Sequence, residues 1–220
     1  MDLGQILRAV SVIVLPWLLA VTVPTIARAR MAVALGDPTP AVRGKVSLNP
    51  LDYADPVGTV ILPVLMLASR LPFLFGWSKP SHIDPRNFAH PRVDLAIVSA
   101  VVPIAGVVMA WLWAIAGFSL AERGLFGHGA PAYWVYEMAK AGLRINLFFA
   151  AINFLPIPPF AGGRILMGVL PLPMARRLVR IEPYGQWIVI GLLLLEGWGV
   201  IAMLGPFVAW LESAVLALTP

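Results

Sequence analysis

The sequence predicts an all-α polytopic membrane protein, and three observations carry that reading. Of the 220 residues, 60% are hydrophobic and only 12% are charged, about half the ~25% charge of an ordinary soluble domain. Mean hydropathy is +0.85. Uncharged runs recur from Ala9 to Ala27, Leu95 to Leu120 and Ile145 to Gly163, with a shorter one from Val57 to Ser69. A further span from Tyr184 to Leu211 is interrupted only by Glu196. At ~20 residues per crossing, five or six transmembrane segments and their connections use the whole chain as a single domain, 1–220.

The first run follows Arg8 and ends near Ala27 and Ala29, in the manner of a signal peptide, but the motifs described below begin inside it. Pro16 and Pro24 each remove a backbone donor from this run, so a kink or break is expected there. Between Arg43 and Thr59 the chain alternates weakly and holds Gly44, Pro50, Pro56 and Gly58. That pattern suits short strands or hairpins at the membrane surface. Phe75 to Arg92, rich in Pro, Gly, Trp and His, reads as an ordered loop without regular structure. The segment LPIPPFAGG cannot be regular helix, because Pro156, Pro158 and Pro159 break the hydrogen-bond ladder. Non-helical backbone at membrane depth survives only beside protein or a water-filled cavity, so this segment marks a cavity or interface within the bundle.

The net charge of +5 comes from arginines spread between apolar spans rather than from a basic run. This suits headgroup anchoring and argues against a nucleic-acid surface. The chain has no cysteine, which excludes disulfides and thiolate metal sites. His82 and His90, with Asp84 and Asp94 nearby, do not form a known ligand spacing, and His128 lies between glycines with no assigned role. Glu196, an ionisable residue in an apolar span, is a candidate site facing a cavity or partner; it would equally reach headgroups if the helix ends near Gly197. The tryptophans at 17, 77, 111, 113, 134, 187, 198 and 210 are expected at membrane interfaces or in packing.

Asn153 to Leu166 reads NFLPIPPFAGGRIL. It resembles the NxxPxxPLDGGRxL segment of the site-2 protease family of intramembrane zinc metalloproteases. Further blocks match the small prokaryotic branch of that family in order and spacing: LGDPTP (Leu35 to Pro40), GKVSLNPLDYADPVGT (Gly44 to Thr59), FGWSKPSHIDPRNFAHPR (Phe75 to Arg92) and RIEPYG (Arg180 to Gly185). The resemblance implies a helical bundle in a prokaryotic cell membrane and, where activity is retained, a zinc cofactor. It also locates the active site. Counting back from Leu35 puts the three HExxH positions on Pro24, Thr25 and Arg28, and the distal Asp ligand on Ala161.

None of these four residues can supply that chemistry, which needs two His at i and i+4, a Glu to take a proton from zinc-bound water, and a third ligand. Arg28 would repel a divalent cation. Tyr53 stands for the family's His in LNPLxHIDP, and Gly106 for the Asn of its AGPxxN segment, with Val102 replacing the Gly before Pro103. The framework remains in Asn153, Pro156, Pro158, Pro159, Gly162, Gly163 and Gly58, and in the prolines at 50, 56, 80 and 85. In the family this region holds an extended substrate strand, which makes Asn153, Pro156, Ile157, Pro158, Pro159, Phe160, Gly162 and Gly163 groove candidates. The expected function is therefore a pseudoprotease without a cofactor, binding transmembrane clients or a partner membrane protein, or forming oligomers. An active zinc protease with non-standard ligands is the alternative. A transporter or channel subunit rests only on Glu196 and the broken segment, without an inverted repeat.

Overall fold

The computed structural model describes residues 3–69, 74–122, 131–158, 160–185 and 204–219. Apolar sequence with few helix breakers folds into long helices. They are α1 (Leu3–Ala34), the short α2 (Thr39–Val42) and α3 (Leu62–Ala68), then α4 (Pro91–Glu122) and α5 (Pro131–Phe154). The shorter α6 (Ala161–Val169) and α7 (Leu172–Ile181) follow, and α8 (Leu204–Ala217) closes the described chain. α4 packs on α5, α6 and α1, and α1 also packs on α5. Small residues let the helices approach closely. Ala110 and Ala114 of α4, Leu143, Leu147 and Ala151 of α5, and Leu204, Leu211 and Val215 of α8 form one buried cluster.

Two described helical stretches are long and apolar enough to cross a membrane, Val10–Ala34 and Pro91–Gly117. Pro56–Ala68 and Leu204–Ala217 are apolar but shorter. The run from Ile145 to Gly163 is not one span: α5 ends at Phe154 and α6 starts at Ala161, because the prolines between cannot carry helical hydrogen bonds. The prolines of α1 act differently. The helix continues through Pro16 and Pro24, so the expected break does not occur; each costs one backbone bond, and the surrounding bonds remain.

The surface strands expected from Arg43 to Thr59 are absent among the described residues, where a single antiparallel bridge joins Ala54 to Ser78. The reason lies in the caps. Asn49 accepts a hydrogen bond from the Leu51 N–H, and Asp55 from the N–H groups of Val57 and Gly58, so Pro50 and Pro56 open a 3-10 turn and a π-helical turn. This connection still has a positional role. Trp17 Nε1 donates to the Thr59 carbonyl at 2.8 Å and Thr59 Oγ1 donates to the Trp77 carbonyl at 2.8 Å, while Lys79 N donates to the Tyr53 carbonyl at 2.8 Å. The irregular segment after residue 73 is thereby pinned to α1. Phe75 to Arg92 is irregular as expected up to Asp84, then forms a 3-10 turn at Pro85–Asn87 and enters α4 at Pro91.

Asp37 ties the two irregular connections together. Its Oδ1 accepts from Thr39 N (3.0 Å), Thr39 Oγ1 (2.6 Å) and Asn87 Nδ2 (2.7 Å), and its Oδ2 accepts from Asp84 N at 2.8 Å. Burial acts to raise its pKa, but these four hydrogen bonds outweigh burial and hold the carboxyl below the usual range. A carboxylate with a lowered folded pKa stabilises the fold above its unfolded value and loses that contribution as pH falls through the folded one. Asp37→Ala is expected to cost about 3 kcal/mol at neutral pH, since hydrogen bonds to charged groups are worth about 1.5–3 kcal/mol each. The melting temperature of the native chain should fall as pH drops below about 4. A melting temperature unchanged by Asp37→Ala at neutral pH would refute this.

Candidate functional site

The irregular segment after residue 73, α1, α4, the end of α5 and the start of α6 enclose a cavity of about 320 Å³. Five of the six positions that match the protease motif lie on its wall: Pro24, Thr25 and Arg28 from α1, Gly106 from α4 and Ala161 from α6. Residues far apart in sequence therefore converge, as helical geometry requires for 24 and 28, which stand one turn apart on one face. Tyr53 is the exception. It is fully buried beneath α1, away from the cavity wall, with its hydroxyl unpaired among the described residues. Burial pushes its phenol pKa up.

Of the groove candidates, Asn153 and Phe160 line the cavity, whereas Pro156, Ile157, Pro158, Gly162 and Gly163 do not. Pro159 lies outside the described residues, as do Glu196, His128, Trp187 and Trp198. Asn153 Nδ2 donates back to the Phe149 carbonyl at 2.9 Å. The turn closes partly on itself, with Leu155 N donating to the Ile152 carbonyl at 3.1 Å and Phe160 N to the Ile157 carbonyl at 3.0 Å. The expectation that all of LPIPPFAGG is irregular needs correction, since Ala161, Gly162 and Gly163 form the first turn of α6. Both glycines press on the backbone of the turn: a Cβ at Gly162 would meet the carbonyl oxygens of Phe154 and Leu155. Glycine is what lets the turn and the helix touch.

The wall chemistry is basic and hydroxylic. Thr25 Oγ1 and Ser78 Oγ share a hydrogen bond of 2.6 Å. Ser81, Ser99, Lys79 and Arg164 also face the cavity. Arg164 Nε donates to Glu182 Oε1 at 3.0 Å, and its Nη2 lies 3.0 Å from the same oxygen. Sequence reasoning did not single out the three serines, for which no motif signal exists; Arg164 does stand within the matched GGR segment.

Zinc does not fit this donor set. Among the described residues no His, Cys, Asp or Glu lines the cavity, and they contain no cluster of three such ligands. Around His82 and His90 the carboxylates are engaged locally. Asp84 pairs with Arg86 at 2.9 Å, which holds the Asp84 carboxyl low and the Arg86 guanidinium high. Asp94 accepts from the His90 N–H at 2.8 Å, securing the start of α4. Among the tryptophans, Trp17 is buried and packs edge-on against Phe149, so it is a packing residue.

Fold and site together define a helical, apolar chain with a polar cavity built around a proline turn. Compared with known proteins, the chain is 26% identical over 198 residues to a Bacillus subtilis (strain 168) protein named "Putative zinc metalloprotease YwhC", covering 90% of this chain and 84% of that one. No protein-family model matches the chain, and no solved structure matches it.

Proposed function

We propose that this chain is a catalytically inactive homologue of the site-2 protease type of intramembrane zinc metalloprotease, and that it binds transmembrane protein segments without cleaving them. One observation carries the reading: five of the six positions matching the protease motif meet around a single cavity, and among the described residues its wall offers no zinc ligand. The similarity over 90% of the chain to a protein named as a zinc metalloprotease supports the kinship. The same reading places the chain in a prokaryotic cell membrane with five or six crossings. Its partners are the lipid bilayer and a client segment or second subunit, and it needs no cofactor.

The relative's name, which gives a zinc metalloprotease, supports a second reading in which this chain is an active intramembrane zinc metalloprotease. That reading draws its ligands from positions other than the motif's. Two measurements separate them. Purified protein is expected to hold no stoichiometric zinc after dialysis, and photo-crosslinkers at Phe160 and Ile157 are expected to capture a co-expressed single-span segment. Near-stoichiometric zinc, lost on His82→Ala or His90→Ala, would revive the enzyme. Crosslinks confined to lipid or to this chain, while a crosslinker at the outward-facing Ile104 captures the segment, would show that binding lies elsewhere.

A further inference from the structure

We propose that the cavity is a carboxylate site, holding one carboxylate on an apolar stem where the proteases this chain resembles would hold metal. Three donors on its wall are buried without a hydrogen-bond partner among the described residues: Arg28 Nε, Ser81 Oγ and Ser99 Oγ. Each comes from a different element, α1, the irregular segment and α4 respectively, and the two serines are only 1% exposed. Leaving such groups buried and unpaired is unfavourable, and more so for a charged one. Three separate elements place unpaired buried donors in the wall of one cavity, and together they define a site that an acceptor completes.

The charge of the wall selects the acceptor. Arg28, Lys79 and Arg164 line the cavity and, among the described residues, no carboxylate does; Glu182, which pairs with Arg164, balances one of these three charges. α6 adds to this, because its first turn starts on the wall at Ala161 without a side-chain cap. Water could pair with the serines but would bring no counter-charge to Arg28, which faces the charge of Arg164 and is only partly offset by Glu182. A carboxylate meets both needs, since its two oxygens accept from a guanidinium fork and from hydroxyls at once. Val102, Phe149, Ile152 and Phe160 supply apolar wall beside these groups, which fits an apolar stem better than a small hydrated anion. The carboxylate belongs either to an acidic side chain of a transmembrane client or to a free amphiphile. Only the first source rests on the function proposed above.

The test uses the full chain in nanodiscs of zwitterionic lipid, with binding followed by calorimetry. The probes are hexanoate and its uncharged counterpart hexanamide, and a single-span peptide carrying one central Glu or, in its place, Gln. At least one acidic probe is expected to bind tenfold or more tightly than its neutral counterpart, with Arg28→Gln and Ser99→Ala each removing most of that preference. Preference for hexanoate alone supports the site with a free amphiphile as its source; preference for the Glu peptide supports it with a client as the source. The double variant Ser81→Ala, Ser99→Ala, which removes two small buried hydroxyls, keeps the test decisive if Arg28→Gln does not fold. Equal binding of the Glu and Gln peptides with no preference for hexanoate would sink the carboxylate site and leave the client groove standing. Absence of binding by every probe overturns the carboxylate site as well.

Discussion

Combining Pro24→His, Thr25→Glu, Arg28→His and Ala161→Asp is expected to give a chain that holds close to one zinc per molecule, where the native chain is expected to hold none. Positions 24 and 28 share one face of α1, and Ala161 faces them across the same cavity, so three ligands would converge with the glutamate beside them. Replacing Arg28 also removes the charge most hostile to a metal, and replacing Pro24 returns a backbone donor to α1. Cleavage is expected to stay low in this variant. Tyr53 and Gly106 still stand where the resembled family has His and Asn, and a site held about 1 Å from its productive geometry loses much of its rate. Elemental analysis and cleavage of a model transmembrane substrate read the two outcomes separately. Robust proteolysis by the four-fold variant would show that the ligands alone separate this chain from an enzyme.

Gly162→Ala is expected to be among the most destabilising single methyl additions in the chain, at about 3 kcal/mol. The new Cβ would meet the carbonyl oxygens of Phe154 and Leu155, and at Gly163 it would meet Pro158 N and the Ile157 carbonyl carbon. These are backbone atoms of a turn stiffened by proline, and they cannot swing aside as a side-chain end can. Elsewhere the same change helps a helix by about 1 kcal/mol. Gly205 of α8, where a Cβ meets nothing within 4 Å, is therefore the control and should be neutral or slightly stabilised as alanine. Denaturant titration in detergent compares the two. Equal stability of Gly162→Ala and Gly205→Ala would show that the turn yields, and that it does not position α6 against the cavity.

Composition and punctuation made part of this molecule legible in advance. A long uncharged run can satisfy its backbone only as helix, which is why α1 and α4 fall where the apolar runs at 9–27 and 95–120 place them. Proline lacks a donor, so the end of α5 beside Pro156 and Pro158 was equally readable. At Pro16 and Pro24 the helix does not break, because one missing bond in a long helix is tolerated. The rule failed at Pro50 and Pro56, where Asn49 and Asp55 turn a proline from strand punctuation into the first residue of a helical turn. A capping side chain competes with strand pairing through local geometry, which alternation of residue types does not encode.

What the sequence by itself determined is the chemistry present at each motif position: Pro24, Thr25, Arg28 and Ala161 cannot bind zinc wherever the fold places them, because ligand capacity is a property of the side chain. Only the tertiary structure decided that Arg28 shares a cavity with Ser81, Ser99 and Arg164, and that Tyr53 stands apart from it. Those neighbours lie on different elements and are brought together by helix packing and by the hydrogen bonds that pin the irregular segment to α1. Burial then gives their donors an energetic weight that no exposed serine or arginine has, because a polar group withdrawn from bulk water loses hydration that only a hydrogen-bond partner replaces.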